Sequence, residues 1–223
     1  DLNTVVKPYS RTFIASKLEE ASERDYMLSL RQLKDLEFYM NSFTLELDKH
    51  PETYPSLDIF KKNKNLATSI NPLAILYKDS VFTASLKPVW GIQYWNNNHG
   101  DVFHRWGGAE MYGYIGKHIG FYGSLRDNHE SEWLVRPTYF NQRQGVPVKG
   151  AGNKGVDYSE ARGGIFASWK WGSIGIAKDH FIWGNNYHGA NIFSGKQPSF
   201  GYIQLNLKPV RWFEFHYVHG WLV

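Results

Sequence analysis

Six charged residues, Glu110, Arg126, Glu160, Arg162, Lys170 and Glu214, fall on the polar parity of segments that alternate polar and apolar side chains. Carboxylates set a few ångströms apart across a sugar-sized cleft could hydrolyse a glycoside. Glu160 and Glu214 are the pair to weigh for that, yet they belong to widely separated segments, and their spacing predicts no enzyme. A row of such charges could instead guide anions, or pair off to line a closed sheet too narrow to leave an open pore. The lining role is the expectation here. Lys178-Asp179 reads as an ion pair or loop anchor rather than an acid/base couple, because adjacent strand residues point to opposite faces. Among the nine histidines, His216 and His219 have opposite parity, and His180 and His188 span a loop, so neither pair predicts a metal. Cysteine is absent, which removes thiolate ligands and nucleophiles. No cofactor or metal is expected.

A second set, Trp133, Tyr139, Trp183, Asn185, Tyr187, Asn191 and Lys196, falls in long connections. Flat rings beside amide and ammonium donors suit a sugar polymer, whose C–H faces stack while its hydroxyls find partners. The same residues would serve equally to pack the connections over the end of the sheet.

The elements that must position these residues are legible as periods. Residues 1–65 read as a helical segment: Phe13, Ile14, Leu18 and Ala21 mark one helix, and Leu33, Leu36, Met40 and Phe43 mark a second, opened by a capping box of Ser29 and Gln32. From about Val81 the period becomes two. Thr83, Ser85 and Lys87 oppose Leu86, Trp90 and Ile92. Glu110, Tyr112 and Tyr114 oppose Met111 and Ile115, and Tyr122, Ser124 and Arg126 oppose Phe121 and Leu125. The run Tyr158 to Phe200 supplies a hairpin turning at Gly172-Ser173. Beyond it, Tyr202, Gln204 and Asn206 oppose Ile203 and Leu205, and Glu214 and His216 oppose Phe215 and Tyr217. Nearly all charge lies on one parity, so one face is wet along its length.

The connections alternate long (Asn96 to Val102, Asp127 to Asp157, Gly184 to Pro198) and short (Gly116-Lys117, Gly172-Ser173, Lys208 to Val210). In an up-and-down sheet that puts the long ones at one end, as in outer-membrane barrels, and a soluble sandwich has no physical reason to keep such an asymmetry. Tryptophans and tyrosines at segment ends (Trp90, Tyr94, Trp95, Trp169, Trp171, Trp212, Trp221) fit a girdle at a lipid–water boundary. The fold class read from this is mainly β: an antiparallel up-and-down transmembrane β-barrel with a short α-helical N-terminal segment. About seven strands are countable in residues 66–223, and an open edge in hydrocarbon is untenable, so a longer protein is expected.

The totals agree. In 223 residues the aromatic fraction is 17%, although the mean hydropathy is -0.46, which requires the two residue classes to be interspersed. No stretch approaches the length of a transmembrane helix. The net charge of +4 is spread over strands and loops, with no stripe for nucleic acid.

Lys178-Asp179-His180-Phe181-Ile182-Trp183-Gly184, then Gly189 to Ser194, Pro198-Ser199-Phe200, Trp212 and His219-Gly220-Trp221-Leu222 resemble the capsule-assembly Wzi-like family of outer-membrane barrels, whose broader group includes RemB-like proteins linked to gliding motility. Pro8-Tyr9-Ser10-Arg11 before two short helices resembles that family's periplasmic N-terminal part. The resemblance is sharpest from Lys178 to Leu222. It implies a non-enzymatic barrel that binds, anchors or assembles surface polysaccharide in the bacterial outer membrane. The N-terminal segment is expected to be periplasmic or tucked into the lumen, and the long loops extracellular. The expected partners are outer-membrane lipid, the polysaccharide and other outer-membrane proteins. The alternative it carries is a structural or interaction component of gliding-motility or protein-secretion machinery.

Overall fold

The structure, a computed structural model, describes residues 6–7, 11–47, 66–70, 73–98, 100–131, 148–152, 155–183, 193–194 and 199–222. The chain is mainly β, with an antiparallel sheet and two short helices. Helix α1 is Arg11–Ser22 and α2 is Leu30–Ser42. The sheet residues form β2 (Leu66–Ile70), β3 (Leu73–Lys78), β4 (Phe82–Asn97), β5 (Gly100–Ile115), β6 (Ile119–Glu130), β7 (Val148–Gly152), β8 (Gly155–Trp169), β9 (Gly172–Asp179), β12 (Phe200–Val210) and β13 (Phe213–Trp221). Three two-residue strands, β1 (Val6–Lys7), β10 (Ile182–Trp183) and β11 (Phe193–Ser194), make a separate small sheet.

Capping holds the start of α2 where the sequence places it. Ser29 Oγ accepts from the Gln32 N–H at 3.4 Å, while Gln32 Oε1 accepts from the Ser29 N–H at 2.9 Å. Leu33, Leu36 and Met40 are the more covered positions of this helix, as their spacing predicts. Neither helix is long and apolar enough to cross a membrane.

The main sheet runs β13-β12-β9-β8-β6-β5-β4-β3-β2, an open path, with β7 added to β8. All its ladders are antiparallel. Register carries the alternation across the sheet: Leu86 pairs with Met111, Met111 with Gly123, Gly123 with Gly163, and Ile165 with Ile176 and Phe121. On that face Leu86, Trp90, Ile92, Leu125, Ile165 and Ile176 are exposed, Trp90 to 79%. The opposite face is covered. Ser85, Glu130, Tyr158, Tyr202 and Gln204 are buried there, Ser85 completely. The usual arrangement of a globular sheet, greasy side in and polar side out, is reversed.

Aromatic rings on the covered face lie across glycines of the neighbouring strand. A Cβ on Gly175 would stand 2.1 Å from the Phe166 ring, and one on Gly91 would stand 2.2 Å from Trp106. Phe166 in turn stacks on Tyr122, with centroids 6.3 Å apart. The absence of a side chain is thus what lets large rings tile a crowded face.

Three sequence expectations are corrected. The stretch Asn96 to Val102 is no long loop: β4 and β5 stay paired out to Asn97 and Gly100, closing in a tight turn with Gly100 at φ 137. Its polar residues break the alternation because both faces are wet there, yet the backbone ladder continues. The turn expected at Gly172-Ser173 is Lys170-Trp171, and that expected at Lys208 to Val210 is Arg211-Trp212. β2, β3 and β7 exceed the strands counted from the sequence. β3 escapes the period-two test because Leu73 and Ile75 face out while Ala74 and Leu76 pack inward, leaving an unbroken apolar run. Pro88 sits in β4 beyond the pairing with β3, where a missing N–H is tolerated.

The long connections, 131–147 and 180–199, still leave from one end of the sheet. Every turn at the other end is tight: 79–81, 116–118, 170–171 and 211–212.

Replacing Gly175 with valine should destabilise the sheet by about 1–3 kcal/mol through overpacking against Phe166. Thermal unfolding followed by circular dichroism checks this, and adding Phe166→Ala should recover part of the loss. An additive double mutant would mean that the two positions do not meet.

Candidate functional site

Charged side chains of the covered face assemble from neighbouring strands into linked pairs. Glu110 on β5 and Arg126 on β6 are one strand apart with the same parity, and Arg126 Nη2 meets Glu110 Oε1 at 2.5 Å. Glu160, one strand further on, pairs in register with Arg126. Its carboxylate takes His180 Nε2 at 2.7 Å and has Arg162 Nε at 3.7 Å. Arg162 Nη1 reaches Asp179 Oδ1 at 3.5 Å, and the Tyr122 hydroxyl donates to Asp179 Oδ2 at 2.6 Å. The tyrosine can span from β6 to β9 because Gly164 between them has no side chain. Nearer the long-connection end, the Tyr158 hydroxyl donates to buried Glu130 at 3.0 Å, and His104 stacks on Tyr158 with centroids 6.4 Å apart. Cations and carboxylates therefore alternate along this face, which compensates charge locally and, among the described residues, leaves no continuous track of one sign.

Glu214 lies by the tight-turn end, where Lys208 Nζ is 3.3 Å and His216 Nε2 is 3.1 Å from its carboxylate. Lys170 is not on the lining: it stands exposed in the β8–β9 turn. Its even-parity position fits the pattern, but the strand has already ended. Glu160 and Glu214 are not brought together. With β9 and β12 between their strands, about 14 Å of sheet separates them, beyond the roughly 5–9.5 Å that glycoside hydrolysis uses. Lys178 and Asp179 do point to opposite faces, Lys178 donating to the Ala161 carbonyl at 3.1 Å. Among the described residues, no group of three or more His, Asp or Glu is placed to hold a metal ion.

Of the proposed sugar-contacting residues, Trp133, Tyr139, Asn185, Tyr187, Asn191 and Lys196 lie outside the described residues. Trp183 is half-buried in β10 and packs edge-on to Phe181, with centroids 6.2 Å apart. Phe181, Phe200, Tyr202 and Ala177 form the core beneath it. β1 pairs with β10, Val6 opposite Trp183, so the start of the chain joins the same excursion.

The strongest constellation is one that spacing did not point to. Arg11, at the start of α1, gives Nε to Glu46 Oε1 at 2.6 Å and Nη2 to Glu46 Oε2 at 3.2 Å. The same Nη2 donates to the Ser42 carbonyl at 2.6 Å and to the Tyr112 hydroxyl at 2.9 Å. Its guanidinium carbon lies 4.1 Å from the Phe43 ring centroid and 3.8 Å from that of Tyr112, a cation held between two π faces. Tyr114 donates to Glu46 Oε1 at 2.6 Å, and Leu45 packs on Ala74, Leu76 and Tyr112. Burial works against the Arg11 charge, but the Glu46 bond and the fields of Tyr112, Glu46 and Tyr114 more than offset it, holding the guanidinium above its ordinary value. A fork-to-fork pair of this kind fixes orientation as well as energy. It clasps the helical segment to the covered face of β5. Asp179, His180 and Glu130 were likewise not among the expected lining residues.

The protein-family models, the curated proteins and the solved structures contain no match to this chain.

Truncating Glu46 to alanine strands a mostly buried guanidinium. The expected loss is about 3 kcal/mol, the lower end for breaking a buried pair, because Arg11 stays 30% exposed. Limited proteolysis should then release residues 11–47 from the sheet, whereas unchanged protection would show that the clasp is dispensable.

Proposed function

We propose that this chain forms wall and inner support of an outer-membrane β-barrel that handles surface polysaccharide without catalysis. The membrane part of the reading is carried by one observation: the exposed face of the sheet is the apolar one. Leu86, Trp90 and Ile92 on β4, Met111 and Ile115 on β5, Ile165 on β8 and Ile174 and Ile176 on β9 adjoin across the ladders and are exposed together. An apolar surface of that extent is costly in water and natural in hydrocarbon. On β8 the outward set Ala161, Gly163, Ile165, Ala167 and Trp169 is free of charge over a stretch that fits the roughly 9–11 residues of a tilted membrane strand. Beyond it, exposed Asp157 on β8 and Asp127 on β6 stand on the same side of the sheet with His129 of β6, where polar groups would meet headgroups.

The polysaccharide part is supported by placement and by likeness. The long connections that carry Trp133, Tyr139, Trp183, Asn185, Tyr187, Asn191 and Lys196 leave from a single end of the sheet, where a cell-surface polymer would approach. The segment Lys178 to Leu222 resembles the capsule-assembly barrels. The paired charges of the covered face suit a plugged lining, which argues for holding a polymer at the surface over conducting a solute.

Fractionation tests the membrane part: the protein is expected in the detergent-soluble outer-membrane fraction, with faster gel mobility before boiling than after. Recovery in the aqueous fraction would defeat it. Deleting the gene tests the second part, with looser or shed capsule as the expected outcome. Intact capsule with failed movement or secretion would replace the polysaccharide reading by a scaffold role.

A further inference from the structure

The tight-turn end of the sheet is a rim of turns joined by backbone hydrogen bonds. Each turn is tied to its neighbour by backbone: Gly116 N–H donates to the Val81 carbonyl at 2.6 Å, Ser168 N–H to the His118 carbonyl at 2.7 Å, and Lys208 N–H to the Trp171 carbonyl at 2.7 Å. His118 Nδ1 and the Ser168 carbonyl add a 2.9 Å contact. Besides exposed Val81 and His118, this rim presents cations and indoles. Lys117, Lys170, Lys208 and Arg211 are exposed on it. Trp171 is 50% exposed and Trp212 is 85% exposed.

The order matters as much as the composition. Lys170-Trp171 closes the β8–β9 hairpin and Arg211-Trp212 closes the β12–β13 hairpin, so two neighbouring turns repeat a cation followed by an indole. The acidic groups nearby are already engaged. Asp79 accepts from the N–H groups of Phe82 at 2.6 Å and Val81 at 2.8 Å and from the Tyr77 hydroxyl at 2.8 Å. Glu214 is shared by Lys208 and His216. Lys117, Lys170, Lys208 and Arg211 outnumber Asp79 and Glu214, so these groups give the rim a net positive field, directly below the exposed apolar residues Ile174, Phe213 and Phe215. Water alone rewards the cations but not the indoles, and a hydrophobic partner alone rewards the indoles but not the cations. A phospholipid leaflet rewards both, because an indole settles at the glycerol level while a neighbouring cation reaches the phosphate.

We propose that this rim binds anionic phospholipid headgroups, with Lys170-Trp171 and Arg211-Trp212 as the paired contacts and Lys117 as a further cation. The inference rests on the membrane reading above and adds to it a lipid class and the residues that select it. It also fixes which end of the sheet faces the leaflet with ionisable phospholipid heads, namely the end opposite the long connections.

The test uses the full-length protein inserted into phosphatidylcholine vesicles, with spin-labelled phosphatidylglycerol or spin-labelled phosphatidylcholine as the reporting lipid. Motionally restricted signal in electron paramagnetic resonance gives the relative association of each. Phosphatidylglycerol should be favoured several-fold, on the order of the gain expected from a few juxtamembrane cations, and the preference should fall with added salt. Lys117→Gln, Lys170→Gln and Arg211→Gln together should abolish the preference while heat-modifiable mobility stays as in the parent. Trp171→Ala with Trp212→Ala should weaken association of both lipids. Equal association of the two lipids with the parent protein, or an undiminished preference in the triple variant, would overturn the proposal and leave the barrel reading standing. A full-length protein that never inserts overturns both.

Discussion

Register is the constraint on which this structure depends. Side chains alternate sides every residue, so the division between an apolar outer face and a polar, aromatic inner face survives only if each ladder keeps its partners in step. From β4 to β9 the pairing does so without a slip: Leu86, Met111, Gly123, Gly163 and Lys178 follow one another across the sheet, as do Ser85, Tyr112, Tyr122, Gly164 and Ala177. The β12–β13 ladder keeps step from Gly201 to Leu207 and shifts by one residue only beside its turn, between Leu207 and Val210. A shift of one residue in the β6–β8 ladder would turn Arg162 and Glu160 toward the apolar surface and Ile165 toward the ion pairs. The tight turns at one end secure this register, since Val81, His118 and Trp171 carbonyls are each bonded by the neighbouring hairpin.

Once register is fixed, the inner face must be filled, and it is filled by size contrast. Phe166 over Gly175, Trp106 over Gly91 and Phe200 near Gly220 place a ring where a neighbour has nothing. A ring pair admitted in this way, such as Phe166 on Tyr122, contributes about 0.5–1.5 kcal/mol beyond simple burial. The same device lets Tyr122 reach past Gly164 to Asp179. Packing and ion pairing are thus not separate layers. The glycine that accommodates a ring also opens the route for a hydroxyl.

The helical segment belongs to the same inner face. Arg11 and Glu46 meet with Tyr112 and Tyr114 of β5 around them, so a residue at the first helical position, one just past the second helix and two strand tyrosines form a single clasp. Its components are of little use apart, because a guanidinium and a carboxylate this deep each need the other. The start of the chain also pairs with the excursion between β9 and β12 through β1 and β10. The Arg11 clasp ties the helices to the sheet, and strand pairing of β1 with β10 ties the start of the chain to the excursion.

The sequence by itself determined the local periods: the capping box of Ser29 and Gln32, the two helices, the parity of Glu110, Arg126, Glu160 and Arg162, and the tightness of the turns at one end. Each follows from neighbours in the chain, so each can be read along it. It also overextended them. Polar residues around Asn97 look like a loop because the alternation ends before the ladder does, and Lys170 looks like a lining residue because parity runs on past the end of a strand. Tertiary structure alone decided which residues meet. Arg11 with Glu46, Tyr122 with Asp179 and Glu160 with His180 are partners across strands or between helix and sheet, and no spacing encodes them. Nor does any local pattern reveal that Ala74 and Leu76 belong inside while Leu73 and Ile75 belong outside, because that choice is made by Leu45 and Tyr112 arriving from elsewhere. Periodicity is a property of one segment, whereas pairing is a property of the surfaces that folding brings into contact.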